Sequence, residues 1–377
     1  MKNNNINKTE SRRLASLDIL RGFDMFLLVF FQPVLVSIGE AANVEWLNDI
    51  LYQFDHEVWA GFRFWDIIMP LFMFMCGVSM PFSFEKYKNE NNRWPIYRRI
   101  LKRVIVLWII GMVVQGNLLA FDSHSLRLYS NTLQAIAAGY LIGSIIVLNL
   151  PISGQIIATV ILLLIYWIPM TFCGDFTPEG NFAEAVDRAV LGHWRDGVYW
   201  DASGQWHFYA PYTYTWIWSS LTFGVTVMLG YFAGKIVKSS GKSTLTVTRL
   251  VITGVALIAV ALLWHLQMPI IKRLWTCSMT LLAGGLCFLL MALFFWWIDV
   301  KNHIHGLNWL KIYGMNSITA YVIGEVINFR SIAVSLTFGF EHYIGEMWYQ
   351  AWLTFANFSI VFLILLLMYK QRIFIKF

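Results

Sequence analysis

The residues best suited to chemistry lie in "HEVWAGFRFWD", residues 56–66, at the start of a long apolar run. His56 stands between Asp55 and Glu57, and Asp66 lies inside the apolar run. An imidazole exchanges protons near neutral pH, and nearby carboxylates are expected to raise its pKa. His56 is therefore a candidate general base. The alternative, an ordinary loop histidine, stays open at this point.

Asp66 also indicates a polar hollow within the apolar run. It lies four residues before Pro70, whose missing N–H leaves the carbonyl of residue 66 without its helical partner. A carboxylate and a freed carbonyl at one level of a membrane need a polar neighbour or a water-filled space. Proton transfer near this level would therefore take place in a hydrophilic cavity.

A second set of polar side chains lies in the first apolar run. Asp18 and Arg21 are three residues apart and can pair on one helix face. Gln32 falls on that same face, about 21 Å further along. Ionisable groups in a membrane span are costly, so they are functional candidates. The alternative is that these groups only pin neighbouring helices together.

The elements that position these side chains are membrane helices. Of the 377 residues, 58% are hydrophobic and 13% are charged, whereas a soluble domain has about half and about a quarter. The predicted fold is an all-α bundle of about ten transmembrane helices, because backbone polar groups in lipid need internal partners. The predicted spans cover about residues 14–38, 61–84, 99–120, 131–149, 154–172, 214–236, 247–266, 273–298, 308–327 and 347–369.

Basic residues predict the orientation of these helices. Lys and Arg cluster at both termini and in the stretches 86–103 and 234–242, which places both ends in the cytoplasm. We expect a tail at 1–13, a transmembrane domain at 14–370 with a long outer loop at 173–213, and a second tail at 371–377. The acids concentrate in the outer loops, so the outer side should attract cationic solutes such as amino sugars. No two of the four cysteines form a CxxC pair, which argues against a metal site.

The sequence resembles the heparan-alpha-glucosaminide N-acetyltransferase family and its bacterial relatives. The resemblance rests on "SLDILRG", "HEVWAGFRFWDIIMPLFMFMCGVS", "LQAIAAGY", "IIKRLWTCSMTLLAGG" and "GMNSITAYVI", in this order along nearly the whole chain. Its most specific part is H-x-x-W-x-G-x-x-x-x-D-x-x-x-P-x-F-x-F, which begins at His56 and includes Trp59 and Asp66. Two positions depart from the family: Gln32 replaces an asparagine, and Ala135 replaces an arginine.

The resemblance implies a transmembrane enzyme that passes acetyl from cytosolic acetyl-CoA to the amine of a terminal glucosamine on the far side. His56 matches the family's catalytic histidine. With the reasoning above, the predicted catalytic residues are His56, Gln32 as an amide donor to the oxyanion, and Asp66. The predicted substrate-binding residues are Trp59, Gln134 and Asn316. The predicted contacts to acetyl-CoA are Asp18, Arg21, Arg98, Arg99, Lys102 and Arg103, although positive-inside sorting alone explains the basic cluster equally well.

Other readings stay open at this stage. An O-acetyltransferase of a cell-envelope polysaccharide would use the same chemistry on a hydroxyl, and a transporter of a sugar or lipid-linked sugar would use the same polar spans without chemistry. Direct transfer and an acetyl-histidine relay are both compatible with the residues. We expect the lipid bilayer, acetyl-CoA and an amino-sugar glycan as partners, and no nucleic acid; the sequence leaves a homodimer open. The tails are typical of a bacterial inner-membrane protein.

Overall fold

The computed structural model describes residues 14–84, 87, 92–208 and 214–375, and these ranges are almost entirely helical. The all-α class is thus confirmed. The helices are α1 Ala15–Phe26, α2 Gln32–Ala42, α3 Glu45–Gln53, α4 Ile68–Ser83, α5 Trp94–Val114, α6 Thr132–Asn149, α7 Ile152–Phe172, α8 Phe182–Leu191, α9 Ser220–Ser240, α10 Thr244–His265, α11 Cys277–Phe294, α12 Asn308–Met315, α13 Ser317–Val326, α14 Arg330–Thr337, α15 Glu341–Ile344 and α16 Glu346–Lys370. Two short strands, β1 Val198–Trp200 and β2 Trp206–Phe208, form an antiparallel hairpin.

Eight helices in the described ranges are long and apolar enough to cross a membrane, and a bent pair brings the number to nine. They are Ala15–Ala42, Phe64–Ser83, Thr132–Asn149, Ile152–Phe172, Ser220–Ser240, Thr244–His265, Cys277–Val300 and Glu346–Lys370, and the pair is Ser317–Val326 with Arg330–Ile344. The chain is therefore an integral membrane protein. The third predicted span corresponds to α5, which has 21 residues but carries four basic side chains. The ninth predicted span is broken at Asn316 into α12 and α13.

Contacts between Cα atoms divide the chain into two units. The first unit contains residues up to Leu51, Ser240–Val251 and the chain from Leu289 to the end of the described residues. In it, α1 and α12 cross closely at two glycines. A Cβ atom on Gly22 would lie 1.8 Å from the carbonyl oxygen of Leu310. Small residues allow membrane helices to approach in this way, so Gly22 sets the packing of the first unit.

The second unit contains Tyr52–Ser239 and Ile252–Phe288. Here α4 and α9 cross at glycines in the same manner. A Cβ atom on Gly230 would lie 1.9 Å from the oxygen of Phe74, and one on Gly77 would lie 2.0 Å from the oxygen of Val227. These contacts bury most of α4 and α9 in the core of the unit.

The predicted outer loop at 173–213 contains regular structure. It includes α8 and the β1–β2 hairpin, in which Tyr199 pairs with His207. A buried ion pair between Glu184 of α8 and Arg195 ties the helix to the chain before the hairpin. Asp187 accepts hydrogen bonds from two backbone N–H groups that lead into α9. Buried polar contacts therefore hold this segment on the second unit.

Candidate active site

Two connections of the second unit meet at one end of α4. One precedes α4, and the other precedes α11. Ala60 and Ile271 form an antiparallel bridge, and the N–H of Gly61 donates to the oxygen of Ile270 at 2.9 Å. Gly61 has a φ of 140°, a value that favours glycine. This backbone contact places Lys272 among the side chains that lead into α4.

His56, Asp66 and Lys272 form a compact cluster. The Nδ1 atom of His56 lies 2.9 Å from Oδ1 of Asp66. The ammonium nitrogen of Lys272 lies 2.7 Å from Nδ1 and 3.1 Å from Nε2 of the imidazole, and 3.5 Å from Oδ1 of Asp66. Asp66 is fully buried and Lys272 is 5% exposed, whereas the His56 side chain keeps 36% of its surface. The imidazole is thus the member of this cluster that a substrate can reach.

The carboxylate of Asp66 is fixed by the backbone around it. Its Oδ2 atom accepts hydrogen bonds from the N–H of Arg63 at 2.9 Å and of Glu57 at 3.4 Å. Asp66 lies in a short 3-10 turn, Phe64–Ile67, and α4 begins after it. Pro70 is in the first turn of α4, where a missing N–H costs no hydrogen bond. The helix α4 therefore begins after Asp66, and Oδ1 of the Asp66 carboxylate can bond to the imidazole of His56.

The acids that flank His56 in sequence are directed elsewhere. Glu57 binds the guanidinium of Arg63, with Oε2 at 3.0 Å from Nε, and this hydrogen bond lowers the pKa of Glu57. The Asp55 side chain is 78% exposed, and its Oδ1 accepts the backbone N–H of His56 at 2.7 Å. The carboxylate that bonds to the imidazole is instead Asp66, ten residues along the chain.

The expected direction of the histidine pKa was wrong. Burial lowers the pKa of His56 below its ordinary value, and Lys272 lowers it further against the opposing effect of Asp66. Burial also lowers the pKa of Lys272, to about 8. Near pH 7 the imidazole is therefore neutral and ready to accept a proton, while Lys272 is mostly charged.

Residues 13–181 match the family described as heparan-alpha-glucosaminide N-acetyltransferase, catalytic. This part of the chain, somewhat less than half of it, is similar to that acetyltransferase family. The resemblance seen in the sequence is confirmed for these residues, which include His56 and Asp66. The motifs around Lys272 and Asn316 lie beyond the match. A comparison with curated proteins finds no match. The chain is thus an integral membrane protein, and its residues 13–181 are similar to the catalytic part of an acetyltransferase family.

Two of the predicted substrate-binding residues lie in the second unit and bond to backbone. The indole N–H of Trp59 donates to the oxygen of Phe176 at 2.8 Å. Gln134 is fully buried; it accepts from the N–H of Ser130 at 2.8 Å and donates to the oxygen of Leu128 at 2.6 Å. These contacts give both side chains a structural role within residues 13–181, and their role in binding substrate stays a prediction.

The first unit holds four other predicted site residues. Asp18 and Arg21 lie 3.9 Å apart on α1, as their spacing predicts. Gln32 follows a π-helical segment, Leu27–Phe31, at the start of α2. Asn316 is 1% exposed, and its amide bonds to the backbone of residues 373 and 375. Contact of these residues with acetyl-CoA, oxyanion or substrate stays a prediction.

The predicted basic cluster lies on the first turns of α5. Arg98, Arg99 and Lys102 are exposed there, while the guanidinium of Arg103 lies over the ring of Tyr140 at 4.5 Å. A role of this cluster in binding acetyl-CoA stays a prediction.

Sequence reasoning missed Lys272. Its signal was present, because "IIKRLWT" places a lysine in a short connection on the predicted outer side, where basic residues are scarce. An exposed loop lysine and a buried one have the same sequence pattern. The pairing of Ala60 with Ile271, which no local pattern reveals, decides that this lysine is buried against His56.

Proposed function

We propose that this protein transfers an acetyl group from acetyl-CoA to the amine of a glucosamine-type sugar, with His56 as the general base. The observation that carries the proposal is the partly exposed imidazole held between a buried carboxylate and a buried lysine. Such a cluster of shifted ionisable groups is typical of active sites. The family match, which includes His56 and Asp66 but not Lys272, supports acetyl transfer as the reaction.

The proposed step is a direct transfer within a ternary complex. The amine nitrogen attacks the thioester carbonyl, the N–C bond forms, and the C–S bond then breaks to release CoA as a thiolate. The amine proton passes to His56, because only a deprotonated nitrogen keeps its lone pair. The thiolate then takes a proton, which returns the imidazole to its neutral form.

Asp66 selects the nitrogen that accepts this proton. With its carboxylate 2.9 Å from Nδ1, the favoured tautomer donates Nδ1–H to Asp66 and leaves on Nε2 a lone pair that the Lys272 ammonium approaches to 3.1 Å. The negative charge of Asp66 also stabilises the imidazolium that forms. Asp66 is thus a positioning residue for the base.

Lys272 supplies a positive charge beside the reacting atoms. Its ammonium lies 3.1 Å from Nε2 of His56, the nitrogen assigned to proton transfer. A buried cation at this place stabilises the oxyanion that develops on the thioester carbonyl, because few water molecules screen it. It also keeps His56 neutral before the amine arrives. Lys272 therefore joins His56 and Asp66 in the proposed reaction.

The test is acetyl transfer by detergent-purified protein with acetyl-CoA and free glucosamine. CoA release should require glucosamine, give an amide product, and fall at least about 100-fold in His56→Ala. A matched control is His207→Ala, since His207 pairs with Asp201 at 2.8 Å in the exposed hairpin but lies outside the cluster. Full activity in His56→Ala contradicts the proposal.

Other outcomes identify the competing functions. Intact acetyl-CoA in the presence of glucosamine, together with sugar uptake into vesicles, indicates a transporter. An ester product from a polysaccharide indicates O-acetylation. Label from acetyl-CoA that accumulates on His56 without an acceptor rules out direct transfer and establishes an acetyl-histidine relay.

A further inference from the structure

A group of aromatic rings lies on the surface of the second unit, between α8 and α9 and outside the candidate membrane spans. We call it the tryptophan surface, and it consists of His193, Trp194, Trp200 and Trp206. The centre of the His193 ring lies 4.4 Å from that of Trp194, 5.8 Å from that of Trp200 and 6.4 Å from that of Trp206. Trp194 and Trp206 are each 40% exposed. Large exposed rings that lie together outside the membrane indicate a binding surface.

The β1–β2 hairpin places two of these rings on one face. Trp200 and Trp206 are paired directly across the strands, so their side chains leave the hairpin on the same side. Tyr199 and His207 form the next pair and therefore lie on the opposite side. The indole N–H of Trp200 donates to the oxygen of His124 at 2.9 Å, which fixes the orientation of this ring. The hairpin thus presents rings that are held in place before a ligand binds.

Polar atoms of the tryptophan surface remain available to a ligand. The indole N–H groups of Trp194 and Trp206 form no hydrogen bond with the residues that the structure describes. The same holds for both ring nitrogens of His193, which is half-buried among the three indoles. Flat apolar rings that carry unused donors and acceptors suit a ligand with apolar faces and polar edges.

A pyranose sugar of the glucose type has both features. Its C–H groups form two apolar faces, and its substituents lie around the edge because all of them are equatorial. The faces can stack on indole rings while hydroxyl groups bond to the indole N–H groups and the imidazole of His193. Rigid aromatic rings bind such a ligand at a low cost in conformational entropy. Lipid tails fit less well, because they would leave the polar atoms of the tryptophan surface without partners.

The tryptophan surface lies at the same end of the second unit as the candidate active site. Arg195, the neighbour of Trp194, donates to the oxygen of Tyr214 at 3.1 Å. The next residue donates its backbone N–H to the oxygen of Arg273 at 3.1 Å, and Arg273 adjoins Lys272. Two hydrogen bonds therefore connect the chain beside the tryptophan surface to the chain beside the candidate active site.

We propose that the tryptophan surface binds inner sugars of a glucosamine-type glycan whose terminal sugar is acetylated at His56. This inference rests on the proposed function and names its acceptor as a polymer. No bond is made or broken at the tryptophan surface. Binding there raises the effective concentration of the terminal amine near His56. The tryptophan surface lies outside residues 13–181, so the family match does not supply it.

The first test measures binding of an N-acetylglucosamine tetramer to the full chain in nanodiscs of phosphatidylcholine. This probe has no free amine, so its binding does not depend on acetyl transfer. Saturable binding is expected, and it should weaken about tenfold in Trp194→Ala and in Trp206→Ala, because each variant loses a stacking ring. The matched control is Trp94→Ala, which removes a 68% exposed tryptophan in the first turn of α5 and should bind as the unaltered chain does. Absence of saturable binding, or equal binding by all four proteins, overturns the proposal.

A second measurement needs no substitution. The ring current of an indole moves the NMR signals of C–H groups that stack on its face to higher field. The pyranose C–H signals of the tetramer should therefore move upfield when it binds to the unaltered chain. Binding without such a shift overturns the stacking, so the proposal remains testable if the alanine variants fail to fold.

A third test uses acetyl transfer to a length series of glucosamine oligomers. KM should fall at least about tenfold from free glucosamine to the longest oligomer, with kcat unchanged, because only a long acceptor reaches the tryptophan surface. In Trp206→Ala, KM for the longest oligomer should rise toward that of glucosamine, while the kinetics with free glucosamine stay the same. A KM that does not depend on oligomer length contradicts the proposal.

Lipid is the competing occupant of the tryptophan surface. Binding of the tetramer should agree within about twofold between detergent micelles and phosphatidylcholine nanodiscs. Binding in detergent that is lost in nanodiscs assigns the tryptophan surface to lipid and overturns the proposal. Tetramer binding without acetyl transfer would refute only the proposed function, whereas acetyl transfer to glucosamine without tetramer binding would refute only this inference.

Discussion

Two regions of the second unit bury carboxylates beside cations, and they use them differently. In the segment that contains α8, Glu184 and Arg195 are 3% and 0% exposed; they bind each other, Arg188 binds Glu184 as well, and Arg195 donates to the backbone oxygen of Tyr214. In the cluster at the start of α4, Asp66 and Lys272 are as deeply buried, but the imidazole between them keeps 36% of its surface.

The difference separates groups that hold a fold from groups that remain available for a reaction. Both carboxylate oxygens of Asp187 accept hydrogen bonds, from the N–H groups of Trp216 and Ile217, at 2.7 and 2.9 Å. Burial raises the pKa of Asp187 to about 7, yet no part of its carboxylate is left for a substrate. Around His56, both ring nitrogens have partners, but 36% of the side chain stays exposed. A shifted pKa therefore indicates function only when an exposed atom goes with it.

The largest expected effect comes from the buried lysine. Lys272→Met should lower kcat/KM about 100-fold, because it removes the cation proposed to stabilise the oxyanion. It should leave the thermal stability of the segment around α8 unchanged. Initial rates of CoA release, measured beside the unfolding temperature in the same detergent, check both expectations.

The pH profile of this variant sharpens the assignment. In the unaltered chain, kcat/KM should rise through the pKa of His56, which burial and Lys272 hold below 6.5, and fall as Lys272 loses its proton near pH 8. In Lys272→Met the rising limb should move to higher pH, because a cation that lowered the histidine pKa is gone, and the falling limb near pH 8 should vanish. Lys272→Arg is the control, since it keeps the charge and loses only the falling limb. A rising limb that stays in place in Lys272→Met contradicts the assignment.

A buried ion pair of the other region should affect stability and not chemistry. Arg195→Met leaves Glu184 buried without its main partner, which should cost about 3–5 kcal/mol of unfolding free energy. Activity per folded molecule should fall far less than in Lys272→Met. Thermal unfolding in detergent and rates corrected for folded protein measure the two effects.

Arg188 provides the matched control for Arg195. It binds the same carboxylate from the exposed side, with Nε at 2.9 Å from Oε1 of Glu184 and 42% of its side chain exposed. Arg188→Met should therefore cost about 0–1 kcal/mol. Equal losses for the two arginines would show that burial does not set the strength of this pair, and the contrast between the regions would fail.

The sequence predicted the membrane helices of this fold well. Apolar stretches of spanning length give the helices, and the structure differs chiefly where α5 carries basic residues and where the chain breaks at Asn316. His56 and Asp66 could be singled out because an ionisable group in an apolar run is costly. Such arguments depend on neighbours in sequence. They therefore identify functional residues that lie within one helix or in the segment directly before it.

The remaining features depend on contacts between distant parts of the chain. Lys272 reaches His56 across 216 residues, through a bridge between two irregular connections. The histidine pKa was mispredicted for the same reason, because burial and this lysine outweigh the carboxylate beside the ring. The regular structure in the 173–213 segment is held by buried pairs such as Glu184 with Arg195. Nothing in the composition of the segment distinguishes these two residues from solvated charges.

The smallest expected effect concerns Trp59, which links the two regions. Its indole N–H reaches the oxygen of Phe176 across 117 residues, and Trp59 is three residues from His56. Trp59→Phe keeps the ring but removes this hydrogen bond, which should cost about 1 kcal/mol. Faster amide exchange around residue 176 should accompany a loss of activity of no more than about fivefold, because the bond only ties one region to the other. If Trp59 instead holds the acceptor sugar, as its place in the motif predicts, KM for glucosamine should rise while amide exchange stays the same. The two measurements on one variant therefore decide whether this tryptophan belongs to the fold or to the reaction.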